Sequence, residues 1–386
     1  MLRIGIIGYG NRISHIARDM GMFGIPYAVT AVADPRSEQL ASLADPLLSD
    51  AHFYGDADDM LDHEQLDGVM VGTRCNLHTE MALRVAARQL PLFLEKPVAT
   101  SFEQLTALAA GFAGYQPVTV VSFPLRLTPI VQRVKALIDA DEIGTVEHIV
   151  AFNDVPYGRT YYNHWYRDAS ITGGLWLQKA THDLDYIQYL VDDQPETVAA
   201  MHARRVYGGD KPFDLHCRDC AEWETCPESP FTRLHEGFEA EWIDAIDPDS
   251  MCLFAQGIQN QDQGNCLIQY RRGAQLSYTQ NFYARHLAAR RGARLYGYRG
   301  TIEFDWYQNQ IKLYRHRAPI AETIDFSGNM SHFGGDRELC LDFLRGMRDG
   351  TPSRSPIEAG ILSALTCLWA RESALTGQFC KVQMPA

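Results

Sequence analysis

The turn Gly8-Tyr9-Gly10-Asn11-Arg12-Ile13 constrains this chain most, set directly behind the apolar run Arg3–Gly8 and ahead of a helical stretch from about Ser14. Glycines so placed let the backbone bend sharply and leave it bare at the head of a helix. There, free amides and the positive end of the helix dipole attract an anion. Ile13 stands where a third glycine would allow close helix–strand packing, which predicts slightly wider spacing. Further β-branched runs follow at Tyr27–Ala33, Gly68–Thr73, Leu90–Glu95 and Val118–Phe123. Between them lie helical stretches at Ser14–Met22, Ser37–Leu43, Leu77–Arg88 and Ser101–Ala110. Strand and helix in alternation require crossover connections, and so predict a parallel, doubly wound sheet over 1–123.

Beyond Phe123 the pattern changes. A helix at Pro129–Ala140 leads to a strand at Thr145–Asp154, and a second helix at Leu177–Val191 precedes an irregular stretch from Gly208 to Pro230. Strands then follow one another without helices: Met251–Ile258, Asn265–Arg271, Gln275–Phe282, Ala293–Gly297, Gly300–Trp306 and Gln310–Tyr314. Helices near Asp336–Arg348 and Pro356–Leu375 close the chain. The expected class is α/β: a Rossmann-type sheet over 1–123, then an α+β domain over 124–386 with a large, mostly antiparallel open sheet covered by helices on one face.

Charge and composition narrow the function. Thirty-five Lys and Arg against 48 Asp and Glu give a net charge of −13, so the chain lacks the basic footprint of a nucleic-acid binder and gains nothing from an anionic membrane. No run approaches the ~20 apolar residues of a membrane span. Met1–Gly8 reads as a buried strand rather than a signal peptide, and most of the nine cysteines are scattered among apolar neighbours. That usage fits reduced thiols and a cytoplasmic setting.

Chemistry-bearing residues gather at the predicted strand ends. Asp34 ends the second strand, where a carboxylate accepts from ribose hydroxyls and repels a 2′-phosphate. This favours NAD, while Arg36 and Arg12 leave NADP open. The fourth strand runs into Thr73-Arg74-Cys75-Asn76-Leu77-His78 and the fifth into Glu95-Lys96-Pro97. In the second half stand Trp165-Tyr166-Arg167, then Gly173-Gly174-Leu175-Trp176-Leu177-Gln178-Lys179-Ala180-Thr181-His182-Asp183-Leu184-Asp185, and later His332-Phe333-Gly334-Gly335-Asp336. With the glycine turn, E-K-P, the G-G…H-D-x-D helix and H-x-G-G-D resemble the Gfo/Idh/MocA oxidoreductases along essentially the whole chain.

The resemblance implies hydride exchange between a nicotinamide cofactor and a sugar, sugar acid or cyclitol. Gly8, Tyr9, Gly10, Asn11, Arg12, Ile13, Asp34, Arg36, Thr73, Arg74, Asn76, His78, Glu95 and Lys96 would hold the cofactor. Trp165 and Arg167 either contact it or pack. His182 suits a general base, since imidazole titrates near neutral pH. Lys96 would donate to the reacting oxygen, with Glu95 holding Lys96 or the nicotinamide ribose. On a regular helix Lys179, His182 and Asp185 share a face, so Asp185, or else Asp183, would orient the ring. Gln178 stands where inositol and glucose members carry Asp; it cannot relay a proton, which leaves His182 with Lys179 or Lys96. Tyr161, Tyr162, His164 and Trp165 offer a sugar stacking faces and hydrogen bonds. Relatives carry the Lys–Pro bond in cis, so Lys96–Pro97 is expected to be cis. Pairing through the outer face of the second sheet implies a homodimer or homotetramer. Relatives also supply two rival readings: a glycosidase using transient oxidation on retained NAD, and a non-catalytic NAD-binding sensor.

Cys217-x2-Cys220-x5-Cys226, with His216 or His235 as a fourth donor, has one spacing that suits zinc. No second C-x2-C exists and hydride chemistry needs no metal, so the expectation is no metal and unligated thiols.

Overall fold

The computed structural model describes residues 1–235, 249–327 and 331–385. Six strands form the first sheet: β1 (Leu2–Ile7), β2 (Tyr27–Ala33), β3 (His52–Tyr54), β4 (Gly68–Val71), β5 (Leu92–Leu94) and β6 (Thr119–Val121). All pair in parallel in the order β3-β2-β1-β4-β5-β6. The order reverses between β1 and β4, and a crevice opens outside the carboxyl ends of the strands there. β4 is buried at every residue, as expected of a strand covered on both faces. The three-residue β3 escaped sequence analysis because so short a run carries no periodicity.

The second sheet has nine strands: β7 (Val146–Asp154), β8 (Pro195–Ala203), β9 (Gln263–Tyr270), β10 (Gln275–Asn281), β11 (Arg290–Gly297), β12 (Gly300–Asp305), β13 (Gln310–Arg315), β14 (Ala321–Asp325) and β15 (Cys380–Lys381). Their order is β14-β13-β12-β11-β7-β10-β9-β8-β15, antiparallel except for β7 against β10. The α/β class and the mostly antiparallel second sheet are as the sequence predicts. Along β9 buried and exposed residues alternate: Cys266 and Ile268 face the helices, and Leu267 is exposed.

The predicted strand Met251–Ile258 does not form; it makes only isolated bridges, at Met251 and Ala255. Its apolar residues instead enter a small core with Val155, Tyr162, Tyr207 and Phe282, so irregular backbone imitated a strand's pattern. β8 and β14 went unpredicted.

The helix Gly335–Asp349 returns to the first sheet. Leu339, Cys340, Phe343 and Leu344 share a core with Ile4, Ile6, Ile13 and Met70, and the rings of Phe93 and Phe343 meet edge-on at 5.8 Å. This return brings Asp336 to the glycine turn. No described helix is long and apolar enough to cross a membrane.

Candidate active site

Gly8 adopts φ +82°, and a Cβ there would stand 2.8 Å from the Thr73 amide nitrogen, so only glycine closes this turn. The following helix spans Asn11–Asp19, three residues earlier than predicted. Its N-cap is Gly10, and no side chain caps it, which leaves first-turn amides for an anion. The space beside Gly10 is open, the nearest atom to a Cβ there being the Gly72 carbonyl at 4.0 Å. Ile13 is accommodated by Gly72, where a Cβ would come within 2.7 Å of Ile13 Cβ: the missing third glycine is supplied by the neighbouring strand end. Asp34 accepts from the backbone amides of Tyr9 and Arg36, each at 2.9 Å, and from the Arg36 guanidinium at 3.0 and 3.1 Å. Burial acts to raise its pKa, but Arg36 and the two amides outweigh it and hold the carboxyl below its usual range. A bare helix head, two glycines and a fixed carboxylate suit NAD.

Arg12 is engaged within the fold. Its guanidinium donates to Asp336 at 2.8 Å, to Glu95 at 3.2 Å and to Ser122 at 3.3 Å, so it ties the turn to the returning helix. Glu95 accepts from Arg12, and its charge also favours the Lys96 ammonium. His78 is buried, its Nδ1 2.8 Å from the Pro97 carbonyl and its Nε2 3.1 Å from that of Thr73; it clamps two site loops together, and burial lowers its pKa. Asn76 lends its carbonyl to Gln104. Exposed Arg74 lies 4.0 Å over the Trp165 ring, and Trp165 stacks on Tyr166 at 3.9 Å, which joins the first sheet's edge to the second domain.

Arg167 takes the packing role, one of the two open to it. It donates to the carbonyls of Phe213 at 2.9 Å and Cys252 at 2.8 Å, holding the cysteine-bearing insert. Tyr162, with its hydroxyl on the Gln261 carbonyl, and Tyr161 are core residues, so neither presents the stacking face expected of it. His164 is exposed. The side chains of His332 and His235 lie outside the described residues.

The helix bearing His182 is irregular at its start. Trp176–Ala180 wind as a π-turn, with the Thr181 amide reaching back to Trp176, before the regular helix Thr181–Val191 begins. Such bulges re-aim side chains, often at functional sites. They also defeat the assumption that Lys179, His182 and Asp185 share a face. Asp185 pairs with Arg126 at 2.9 Å, and burial pushes its carboxyl up to about 6 despite that partner; it is a buried strut rather than the orienter of His182. Asp183 is likewise engaged, by Arg291 at 2.8 Å, Asn153 at 2.6 Å and Tyr278 at 2.9 Å. Lys179 donates to the Tyr157 hydroxyl, and burial, with Arg291 nearby, pushes its pKa well down.

Lys96 bridges the halves. The Lys96–Pro97 bond is cis, as expected, and Lys96 Nζ donates to the Gln178 carbonyl at 2.7 Å and to Gln178 Oε1 at 3.2 Å. Burial lowers its pKa to about 8, with Lys179 and Arg12 adding to the fall and Cys75 and Glu95 opposing it. Gln178 accepts without adding charge; an aspartate there would favour the ammonium and raise that value. His182, nearly buried, meets Phe123 edge-on at 6.0 Å, just beyond β6. Lys96 thus joins the edge of the first sheet to the π-turn at Gln178, on the helix that goes on to carry His182. Sequence analysis missed Gln178 as the acceptor of Lys96, and it missed Tyr157, which carries no local signal.

Residues 2–123 match the oxidoreductase family with an NAD-binding Rossmann fold, and residues 131–303 match the GFO/IDH/MocA C-terminal domain. The chain belongs to the Gfo/Idh/MocA oxidoreductases. YteT of Bacillus subtilis is 26% identical over 360 residues, 84% of this chain and 83% of its own. Inositol 2-dehydrogenase of Pseudomonas fluorescens is 26% identical over 205 residues, 53% of this chain and 59% of its own. Among solved structures, a levoglucosan dehydrogenase in complex with NADH superposes with a TM-score of 0.79 at 19% identity, over all of both chains. Myo-inositol 2-dehydrogenase of Lactobacillus plantarum gives 0.71 at 16% identity, over 99% of each; these likenesses show the fold. This member of the family is an NAD-dependent oxidoreductase.

Proposed function

We propose that the enzyme interconverts a secondary alcohol and a ketone on a sugar, sugar acid or cyclitol. Bound NAD supplies the hydride acceptor or donor. His182 takes the hydroxyl proton during oxidation and returns it during reduction, while the Lys96 ammonium donates to the reacting oxygen and stabilises the developing alkoxide. The observation that carries this reading is Lys96 at the crevice, lowered to about 8 by burial and held by the neutral Gln178 across the two walls. Relatives named as inositol and levoglucosan dehydrogenases support the substrate class. The other proposed cofactor contacts are Gly8, Tyr9, Gly10, Asn11, Ile13, Asp34, Arg36, Thr73, Arg74, Asn76 and Trp165. A cytoplasmic location, and pairing of copies through the outer face that exposes Met201 and Leu267, belong to the same reading.

The test is reduced-nicotinamide absorbance with NAD and with NADP over a panel of anhydrosugars, sugar acids and inositols. Turnover lost by about 10²–10⁴-fold in both Lys96→Met and His182→Ala is expected. Full activity in either variant refutes its assigned role. Silence of the wild type across the panel, with NAD still bound after purification, would move the reading to the glycosidase type.

A further inference from the structure

The irregular stretch after β8 contains, up to Pro230, only the short helical turn Cys217–Asp219, and a segment of that length needs something to hold it. Part of the answer is a pairing with the segment that precedes β9. The Cys217 amide donates to the Ser250 carbonyl and the Cys252 amide to that of Leu215, both at 2.8 Å, while His216 and Met251 form the antiparallel bridge between them. In this register Cys217 and Cys252 share one face of the pair, on a diagonal, and His216 falls on the other, turned to the Asp249 carbonyl at 2.8 Å. The Cys220 amide returns to the Cys217 carbonyl at 3.1 Å, which closes the C-x2-C turn, and the Cys226 amide bonds to the Glu222 carbonyl at 2.8 Å.

The fourth cysteine was hidden in a predicted strand of the linear sequence, far from the other three. All four are free thiols; Cys217 and Cys252 are buried, Cys220 and Cys226 half-buried. A C-x2-C turn, a third cysteine in the turn that follows it and a fourth on the cross-strand diagonal supply the four thiols of a tetrahedral thiolate centre.

We propose that Cys217, Cys220, Cys226 and Cys252 form a structural site for a divalent, sulfur-preferring cation, of which zinc is the probe. Among the described residues no three such side chains stand already assembled to hold a metal ion, so binding draws the sulfurs inward. Each thiol releases its proton to solvent as its metal–sulfur bond forms. The metal would lock the insert on the Ser250–Cys252 segment. That segment is joined to the Trp165 wall: Asn163 accepts from the Met251 amide at 2.8 Å, and Arg167 holds Phe213 and Cys252.

The experiment is metal analysis of the full chain, purified under reducing conditions from zinc-supplemented cells, with thiol titration of the folded protein. About one zinc per chain is expected, with four of the nine thiols protected until a chelator is added. Cys226→Ser and Cys252→Ser should each lose the metal, and Cys380→Ser, outside the cluster, should keep it. Should the serine variants fail to fold, titration of metal-free wild type with cobalt decides, because a tetrahedral thiolate centre shows intense d–d and charge-transfer bands. Wild type without zinc and without those bands overturns the proposal. So does full zinc retention by Cys252→Ser, or a disulfide among the four.

Discussion

Lys96→Met keeps most of the length of that side chain and deletes its charge. Burial lowers the ammonium from 10.5 to about 8, a difference of about 2.5 units, which at ~1.36 kcal/mol per unit sets an upper bound of about 3 kcal/mol on the destabilisation from holding the charge in the fold. Lys96 retains some solvent access, which reduces the expected effect to about 1–2 kcal/mol. The sign follows from linkage. Below about pH 8 the lysine is protonated in both states and the folded protein bears the whole penalty. Between about 8 and 10.5 the unfolded chain binds more protons, so wild-type stability gains from this site as pH rises. Above 10.5 both forms are neutral and the penalty is gone. Loss of the bond to the Gln178 carbonyl adds an offset of about 1 kcal/mol that does not vary with pH. Urea unfolding of both proteins from pH 7 to 10.5 reads the difference directly. The variant should gain relative to wild type by a constant amount below about pH 8, and that gain should shrink as pH rises further. A difference that is flat throughout, or that grows with pH, refutes the argument that burial lowers this lysine.

Arg12→Ala removes the cation between the nearly buried carboxylates of Asp336 and Glu95 and should destabilise the fold by about 2–4 kcal/mol, read as a fall in Tm; an unchanged Tm refutes the strut. Gly8→Ala forces a Cβ to 2.8 Å from the Thr73 amide at φ +82°, so NAD binding by calorimetry should be lost and stability should drop by at least about 1 kcal/mol. Arg167→Lys cannot reproduce the two carbonyl bonds to the insert. It should lower Tm while leaving the dissociation constant for NAD within about two-fold, whereas a change of ten-fold or more (about 1.4 kcal/mol) would place Arg167 at the cofactor site.

How much was legible follows from distance along the chain. The glycine turn, Asp34 and the E-K-P strand end could be read because strand, bend and helix start are neighbours in sequence, and each needs a particular residue type there. Even the replacement of the third glycine by Ile13 could be read, but its accommodation by Gly72 could not. The His182 helix was found by pattern and its geometry misjudged, since a π-turn is a property of packing and periodicity assumes regular winding.

The sequence by itself determined the two-part architecture, the crevice edge and the residue types we propose to meet a phosphate and a proton, because these rest on local backbone preference and hydrophobic period. Tertiary structure alone decided the partners of the charges. Arg12 meets Asp336 across 324 positions, Arg126 takes Asp185, Arg167 holds carbonyls of the insert, and the bridge at Met251 sets Cys252 beside Cys217. A buried charge or thiol takes whichever complementary group the packed fold brings within reach, and residues adjacent in space but tens to hundreds apart in sequence leave no trace in spacing or composition.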